Sequence, residues 1–264
     1  MTTRPLTSVW RVWSDHRSGL LGWGLALAGI TFMYLAFWPM MGAEMQAALD
    51  GMPEALLRAL GYDRIGTGAG YLEAVVYGLL GPVLLLVYGI GLGARVLAGQ
   101  EEDGTLELDL AAPVSRTRLY WERLTAVWLL LTALVAITTL AVLASGPLFD
   151  LGVAAGNVLV ASLLMWLLVG AFATVAYALG AATGRRGAAA AGAAGLATLS
   201  FVFKSVADAA GVDVLALLSP FSWMLGNEPL VNGLVAWDAF RLAAISVVVA
   251  PLGLIRFAGR DLMT

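Results

Sequence analysis

Between residues 151 and 184 the chain carries no charged side chain, and between 124 and 145 it carries none either. A helix needs about 20 apolar residues to cross a hydrocarbon core about 30 Å thick. That core offers no water to free N–H and C=O groups, so a segment crossing it must satisfy its own backbone as a helix or close into a barrel. Runs this long and this apolar dictate an all-α integral membrane protein. Composition agrees: 60% of the 264 residues are hydrophobic and 12% are charged, against about 25% charged in a soluble domain.

Six runs are long enough to cross: residues 19–41, 71–97, 124–145, 153–181, 188–206 and 240–257. Before the first, Leu6, Val9, Trp10 and Trp13 recur at spacings of three and four, with Arg11, Asp15 and Arg17 off that stripe. The pattern predicts an interfacial helix over 1–18, its tryptophans at headgroup depth. No small-residue cleavage site follows the first run, which argues against a removed signal peptide. Residues 44–64, with Leu49, Met52, Leu56, Leu57 and Leu60, predict an amphipathic surface helix closed by Gly61. Pro82 predicts a kink in the second span, and Gly89, Gly91 and Gly93 predict close approach of a neighbouring helix. Lys204 and Asp208 stand at i and i+4, the spacing of a helical ion pair. Residues 209–237 are too broken to span and predict a re-entrant element after the fifth crossing. Such an element must be covered by protein.

Basic residues set the orientation. With both termini inside, Arg4, Arg11, Arg17, Arg95, Arg116, Arg118, Arg123, Arg185, Arg186, Arg256 and Arg260 fall on one side, against Arg58, Arg64, Lys204 and Arg241 on the other. Cytoplasmic loops carry the excess of Lys and Arg, so both termini and the loop at 99–123 are expected in the cytoplasm.

The inventory excludes most chemistry. There is no cysteine, and the single histidine, His16, precedes the first span. An intramembrane Ser–His dyad or a haem ligand would need a histidine at depth. The sequence has no GxxxxGK[ST] phosphate loop, so any ATP is handled by another chain. Net charge is −3 with scattered basic residues, which gives nucleic acid no footprint. Charged groups at the midplane, the usual mark of a secondary transporter, are missing. What remains is a membrane subunit driven from outside, or a passive channel or scaffold.

The loop at 99–123 carries the sharpest signal. Its first half holds Glu101, Glu102, Asp103, Glu107 and Asp109; its second holds Arg116, Arg118 and Arg123. An acidic group, then Gly104-Thr105, a Leu-rich helix, and the turn Pro113-Val114-Ser115-Arg116 resemble the signature of type-2 ABC transporter permeases. Val9-Trp10-Arg11, Gly19-Leu20-Leu21-Gly22-Trp23, Ser219-Pro220-Phe221 and Gly259-Arg260-Asp261-Leu262 are similar to the bacterial drug- and antibiotic-export branch of that family. The likeness covers essentially the whole chain. Asp109 departs from it, standing where such sequences usually carry an apolar residue.

The resemblance implies one transmembrane domain over 1–264: six helices, an interfacial connecting helix over 1–18, and a cytoplasmic coupling segment over 99–123. It implies ATPase coupling through Glu101, Glu102, Asp103, Gly104, Thr105, Pro113, Ser115 and Arg116, with Leu106, Leu108 and Leu110 turned to the bundle and the acids and arginines facing a groove on an ATPase. The expected partners are two copies of an ABC ATPase, a second permease copy forming a homodimer, and membrane lipid. ATP and magnesium would sit in the ATPase, with no cofactor, metal or catalytic residue in this chain. The expected function is export of a hydrophobic or amphipathic compound (drug, antibiotic or lipid-like) across the bacterial plasma membrane, with spans two and five lining the path. A permease of the same family for an ion or a maturation factor, and a non-transport scaffold or passive channel, stand as alternatives.

Overall fold

A computed structural model describes residues 7–49, 66–105 and 115–260, with side chains from residue 9 to residue 40 in the first stretch. Nine helices are described: α1 (Thr7–Leu49), α2 (Gly68–Glu102), α3 (Arg116–Leu148), α4 (Ala155–Thr183), α5 (Arg186–Ala210), the short α6 (Asp213–Leu218), α7 (Pro220–Leu225) and α8 (Pro229–Asn232), and α9 (Ala236–Gly259). Six of them, α1 to α5 and α9, are long and apolar enough to cross a membrane. These are the six runs read from the sequence, all but α4 extended at both ends; α4 begins two residues later than read and ends two residues later.

The extensions have a common reason. Charged residues at a span's border cannot enter hydrocarbon, yet they are good helix formers. Residues 116–123 are therefore the first turns of α3 and not a separate loop. The same logic governs the N-terminus. The expected interfacial helix is continuous with the first span, giving one helix of 43 residues, about 65 Å long at 1.5 Å per residue. Val9 and Val12 are buried, Trp13 packs against the core, and Trp10 is 72% exposed. The two tryptophans thus do not share one outward face. Residues 44–49 continue α1; the rest of the expected surface helix lies outside the described residues.

In α2, two π-helical stretches interrupt the α geometry, Glu73–Leu80 and Arg95–Gly99. The first ends at Gly81-Pro82, where the Gly81 N–H reaches the Val76 carbonyl, five residues back. A wide turn here accommodates the ring that would otherwise clash with the preceding turn. A Cβ on Gly93 would overlap the Ala173 carbonyl, and one on Gly89 would meet Val169 at 3.1 Å. Both glycines therefore let α2 lie directly on α4. Gly91 faces open space.

α4 is the hub of the bundle, packed against α2, α3, α5 and α9. A Cβ on Gly170 would overlap the Trp128 indole of α3, and Trp128 meets Trp166 edge to face at 4.7 Å. Buried tyrosines stitch the helices: Tyr77 Oη pairs with Ser162 Oγ at 2.8 Å, Tyr120 Oη donates to the Ala250 carbonyl at 2.8 Å, and Tyr177 Oη donates to the Tyr120 carbonyl at 2.8 Å. Hydroxyls within spans bond the carbonyl one turn back, as Thr138, Thr139 and Thr174 do, so these polar groups are not left bare to lipid.

The broken stretch after α5 folds as α6 to α8 against α4, α5 and α9. Asn157 Nδ2 donates to the Leu230 and Val231 carbonyls, and Ser219 Oγ donates to the Ser200 carbonyl at 2.7 Å. Phe221, Met224, Leu225, Pro229 and Leu230 are buried here, whereas Val214, Leu217, Leu218, Val231 and Leu234 are exposed. The predicted Lys204–Asp208 pair forms at 2.5 Å. Asp238, 4% exposed, takes the Asn227 amide, while Arg241 lies over Trp223 and Trp237.

Candidate functional site at the charged end of the bundle

α2 and α4 end, α3 and α5 begin, and α9 ends on one side of the bundle, here called the charged end. α2 stops there for a local reason. Gly104 takes a left-handed φ of +66°, its N–H donates to the Glu101 carbonyl at 3.1 Å, and the Thr105 N–H donates to the Gln100 carbonyl at 2.9 Å. This paired arrangement is the Schellman stop, and glycine meets its backbone demand without strain. Thr105 Oγ1 adds a bond to the same Gln100 carbonyl. α3 starts with equal clarity. Ser115 Oγ accepts the Arg118 N–H at 3.2 Å, an N-cap worth about 1 kcal/mol, and Arg116 is the first helical residue. Gly104-Thr105 and Ser115-Arg116 thus frame the intervening segment with one helix stop and one helix start. Pro113, Leu106, Leu108, Leu110 and Asp109 lie outside the described residues.

The adjacent acids point to different partners. Glu101 is buried (9% exposed), and its Oε2 pairs with Nη2 of Arg260, at the end of α9, at 2.5 Å. Arg116 Nη1 donates to the Arg260 carbonyl at 2.9 Å. Gly184, which caps α4 with φ +67°, borders this pair; a Cβ there would overlap the Arg260 guanidinium. Glu102, one residue on, accepts the Arg186 N–H through Oε1 at 2.9 Å. That carboxylate caps the first turn of α5, where Arg185 supplies no side-chain cap and where negative charge is favoured. Asp103 is exposed. The three acids do not present one common outward face.

Arg123 completes the cluster. It is 1% exposed, and its Nη1 donates to the Val96 carbonyl at 3.1 Å, joining α3 to the π-helical turn of α2. Nearer the start of α3, Arg118 and Glu122 pair at 2.7 Å. Removing one member of a buried ion pair typically costs about 3–5 kcal/mol, so Glu101 and Arg260 hold α2 and α9 together with some force.

Of the residues singled out from sequence, the structure therefore gathers Glu101, Glu102, Asp103, Gly104, Thr105, Ser115 and Arg116 at one end of the bundle. It adds Arg260, Arg186 and Arg123, which the count of basic residues put on the same side without assigning them partners, and Gly184. Their signal was charge complementarity: an acid-rich stop of α2 faces the basic turn at 183–187 and the basic end of α9, all on one side of the membrane. No group of three or more His, Cys, Asp or Glu suited to a metal ion occurs among the described residues.

A groove of about 550 Å³ opens between α2 and α5. Leu79, Val83, Val87 and Ile90 form one wall and Ala194 and Phe201 belong to the other. Its lining is apolar except for Thr198.

A family model described as ABC-2 family transporter protein matches residues 6–262. No curated protein matches the chain. The match runs through all six spans and through the framed segment at the charged end. The chain accordingly belongs to the ABC-2 transporter family, as a membrane-spanning permease subunit whose family membership implies an ABC ATPase partner.

Proposed function

We propose that this chain is the permease of an ATP-driven exporter in a bacterial plasma membrane, with both termini and the charged end in the cytoplasm. Two copies would work with two separate ATPase chains, which bind ATP and magnesium, and would move an amphipathic or hydrophobic compound outward. The observation that carries the reading is the wiring of the charged end. The framed segment joins α2 to α3, Glu101 ties α2 to α9 through Arg260, and Glu102 ties α2 to α5 through the Arg186 N–H.

The mechanics rest on those ties. A push delivered to residues 99–123 displaces the end of α2 and the start of α3 together, because Arg123 joins them. The Glu102 cap passes the displacement to the start of α5, and the Glu101–Arg260 pair passes it to α9. α2 and α5 are the two walls of the apolar groove, so a shift at the charged end changes its width. Rigid-body motion of packed helices of this kind is an established mode of switching. Glu101 acts in this scheme as an internal connector, and Asp103, Thr105 and the segment up to Pro113 provide the surface that meets the ATPase.

The test is affinity purification of the chain from its native membrane in a mild detergent, with mass spectrometry of the proteins retained. A stoichiometric ABC ATPase is expected. Recovery of the intact permease with no ATPase would overturn the reading in favour of a scaffold or passive channel.

A further inference from the structure

Ser219-Pro220-Phe221 starts α7, and each residue has a distinct local task. Ser219 Oγ accepts the Ser222 N–H at 3.3 Å, capping α7, and donates to the Ser200 carbonyl of α5 at 2.7 Å. Ser219 is fully buried and Ser200 nearly so. Pro220 holds the first helical position, where its missing N–H would have no intrahelical partner anyway. Phe221, 3% exposed, lines the α2–α5 groove although it belongs to neither wall. It meets Phe201 of α5 edge to face at 5.4 Å. Phe201 stands fifteen residues along α5 from Arg186, about 22 Å at 1.5 Å each. The aromatic pair therefore lies toward the end of the groove away from the charged cluster.

α7 is attached on two sides, and the attachments differ. Toward α9, Asn227 donates through Nδ2 to the buried Asp238 carboxylate at 2.5 Å, and Asp238 lies 3.8 Å from Arg241. The Arg241 guanidinium sits over Trp223 of α7 and Trp237 of α9. The turn beyond α7 is fixed as well. Glu228 has φ +51° and ψ +64°, immediately before Pro229. Proline pushes the residue before it toward extended backbone, so this conformation is strained and persists only where its surroundings hold it. Here the Glu228 N–H donates to the Leu225 carbonyl, and the Glu228 carbonyl accepts from Val231 and Asn232, each at 2.9 Å. Asn157 of α4 holds α8 through the Leu230 and Val231 carbonyls. α7, α8 and α9 thus form one body with the hub α4. Toward α5 the attachment is lighter: the neutral Ser219–Ser200 contact and the phenyl pair. α6, which packs on α5, reaches α7 through the Trp223 Nε1 bond to the Leu217 carbonyl at 3.1 Å. Hydrogen bonds to charged groups are roughly twice as strong as neutral ones, so the weaker side of α7 is the one facing α5.

We propose that the Ser200–Ser219 contact is the outer latch of the groove. α7 is a fixed stop on the hub. When α5 shifts, it parts from α7 at this seam, separates Phe201 from Phe221 and opens the groove on the side away from the charged end. The Ser222 N–H bond to Ser219 lies within α7 and survives the parting, so α7 need not refold. The inference rests on the reading of α5 as a wall moved by an ATPase.

The absence of cysteine from the chain lets single thiols report on the seam. Ser219→Cys and, as reference, Leu230→Cys on α8 (2% exposed) are placed separately in the full-length permease. Each is purified with its co-isolated ATPase and set in phospholipid nanodiscs. Alkylation by N-ethylmaleimide is timed without nucleotide and after trapping with ATP, magnesium and vanadate, with loss of ATP hydrolysis verifying the trap. The expected result is several-fold faster alkylation of Ser219→Cys in the trapped complex, with Leu230→Cys unchanged. A double variant, Ser200→Cys with Ser219→Cys, gives an independent measure. The native hydroxyl oxygens are 3.3 Å apart, close enough for a disulfide between cysteines there. Thiols left after brief oxidation by copper phenanthroline are counted by maleimide-polyethylene glycol mobility shift. The disulfide should form several-fold more slowly in the trapped complex. Rates that stay the same in both Ser219→Cys and the double variant overturn the latch. Equal acceleration at Ser219→Cys and Leu230→Cys means that the whole outer element lifts, and overturns α7 as a fixed stop. Intact permease isolated with no ATPase overturns the permease reading and the latch with it, whereas a verified trap with a static seam overturns the latch alone.

Discussion

α4 and α5 are neighbours, both apolar and both long enough to span, yet they are built for opposite purposes. Within the most apolar 18 residues of each, 67% are buried in α4 and 22% in α5. α4 packs against α2, α3, α5 and α9. α5 buries a small-residue stripe (Ala189, Ala193, Ala197 and Ser200) and leaves Leu196, Leu199, Phe201, Val202 and Val206 exposed. Hydropathy marks both as crossings and says nothing of this contrast. Between helices in lipid, association depends on close packing and polar contacts, since the tails are as apolar as leucine. The distribution of small residues is therefore what separates a hub from a wall. α4 is fixed by interlocking shapes; α5 is held along one narrow stripe and by the Glu102 cap at its start, which suits a helix that must shift.

Substitutions sharpen that contrast. The largest effect is expected at the hub. Gly93→Ala forces a Cβ into the Ala173 carbonyl of α4; backbone cannot give way cheaply, and the loss should be about 3 kcal/mol. Thermal or denaturant unfolding of the purified chain checks it, and an unchanged midpoint would mean that α2 and α4 are less tightly apposed than described. Glu101→Gln comes next. It leaves the Arg260 guanidinium beside a neutral amide and should cost roughly 3 kcal/mol, with the charge swap Glu101→Arg plus Arg260→Glu recovering part of it. If the single variant matches the unmodified chain in stability, the α2–α9 tie is not structural. Glu102→Gln should cost only about 1 kcal/mol, the worth of a helix cap, but should reduce transport more than stability because it loosens α5 from α2. Equal proportional losses in the two assays would argue against α5 as the moving wall. The smallest effect, and of opposite sign, is at the exposed wall. Gly195→Ala meets no atom within 4 Å and should stabilise α5 by up to about 0.8 kcal/mol through helix propensity. Impaired transport with raised stability would instead place a second copy of the chain against that face.

Simple charge reversal at Glu101 and Glu102 is, for the same reason, a poor probe of docking. Glu101 is buried in its pair with Arg260 and the exposed Glu102 caps α5, so reversal breaks helix ties whether or not an ATPase contacts them. Asp103, exposed on the next turn, is the better reporter.

The six crossings were legible because insertion depends on the length of an apolar run, which needs no tertiary information. Helix stops were less legible: the runs read as ending at 97, 181 and 206, whereas the helices continue to left-handed glycines at or just beyond their ends, Gly104, Gly184 and Gly211. The Lys204–Asp208 pair was legible because both residues lie on one helix, four apart. Glu101 and Arg260 were not, since they are 159 residues apart and nothing local links them. The continuity of α1 was also hidden. The charged residues at 11–17 read as an interfacial border, but no proline interrupts residues 7–19, and Ser14, Asp15, Ser18 and Gly19 are all carried within the helix. Arg123 likewise read as one more loop charge, and its burial depends on the π-helical turn of α2 offering the Val96 carbonyl.

Because the chain contains no cysteine, single cysteines give the most direct test of which end meets the ATPase. Asp103→Cys places one on the exposed turn of the charged end, and Asn232→Cys places one at the exposed last residue of α8 at the other. In native membranes treated with a short bifunctional thiol-to-amine cross-linker, Asp103→Cys is expected to join the permease to an ABC ATPase and Asn232→Cys is not. A cross-link to the ATPase from Asn232→Cys with none from Asp103→Cys would contradict the account at its centre.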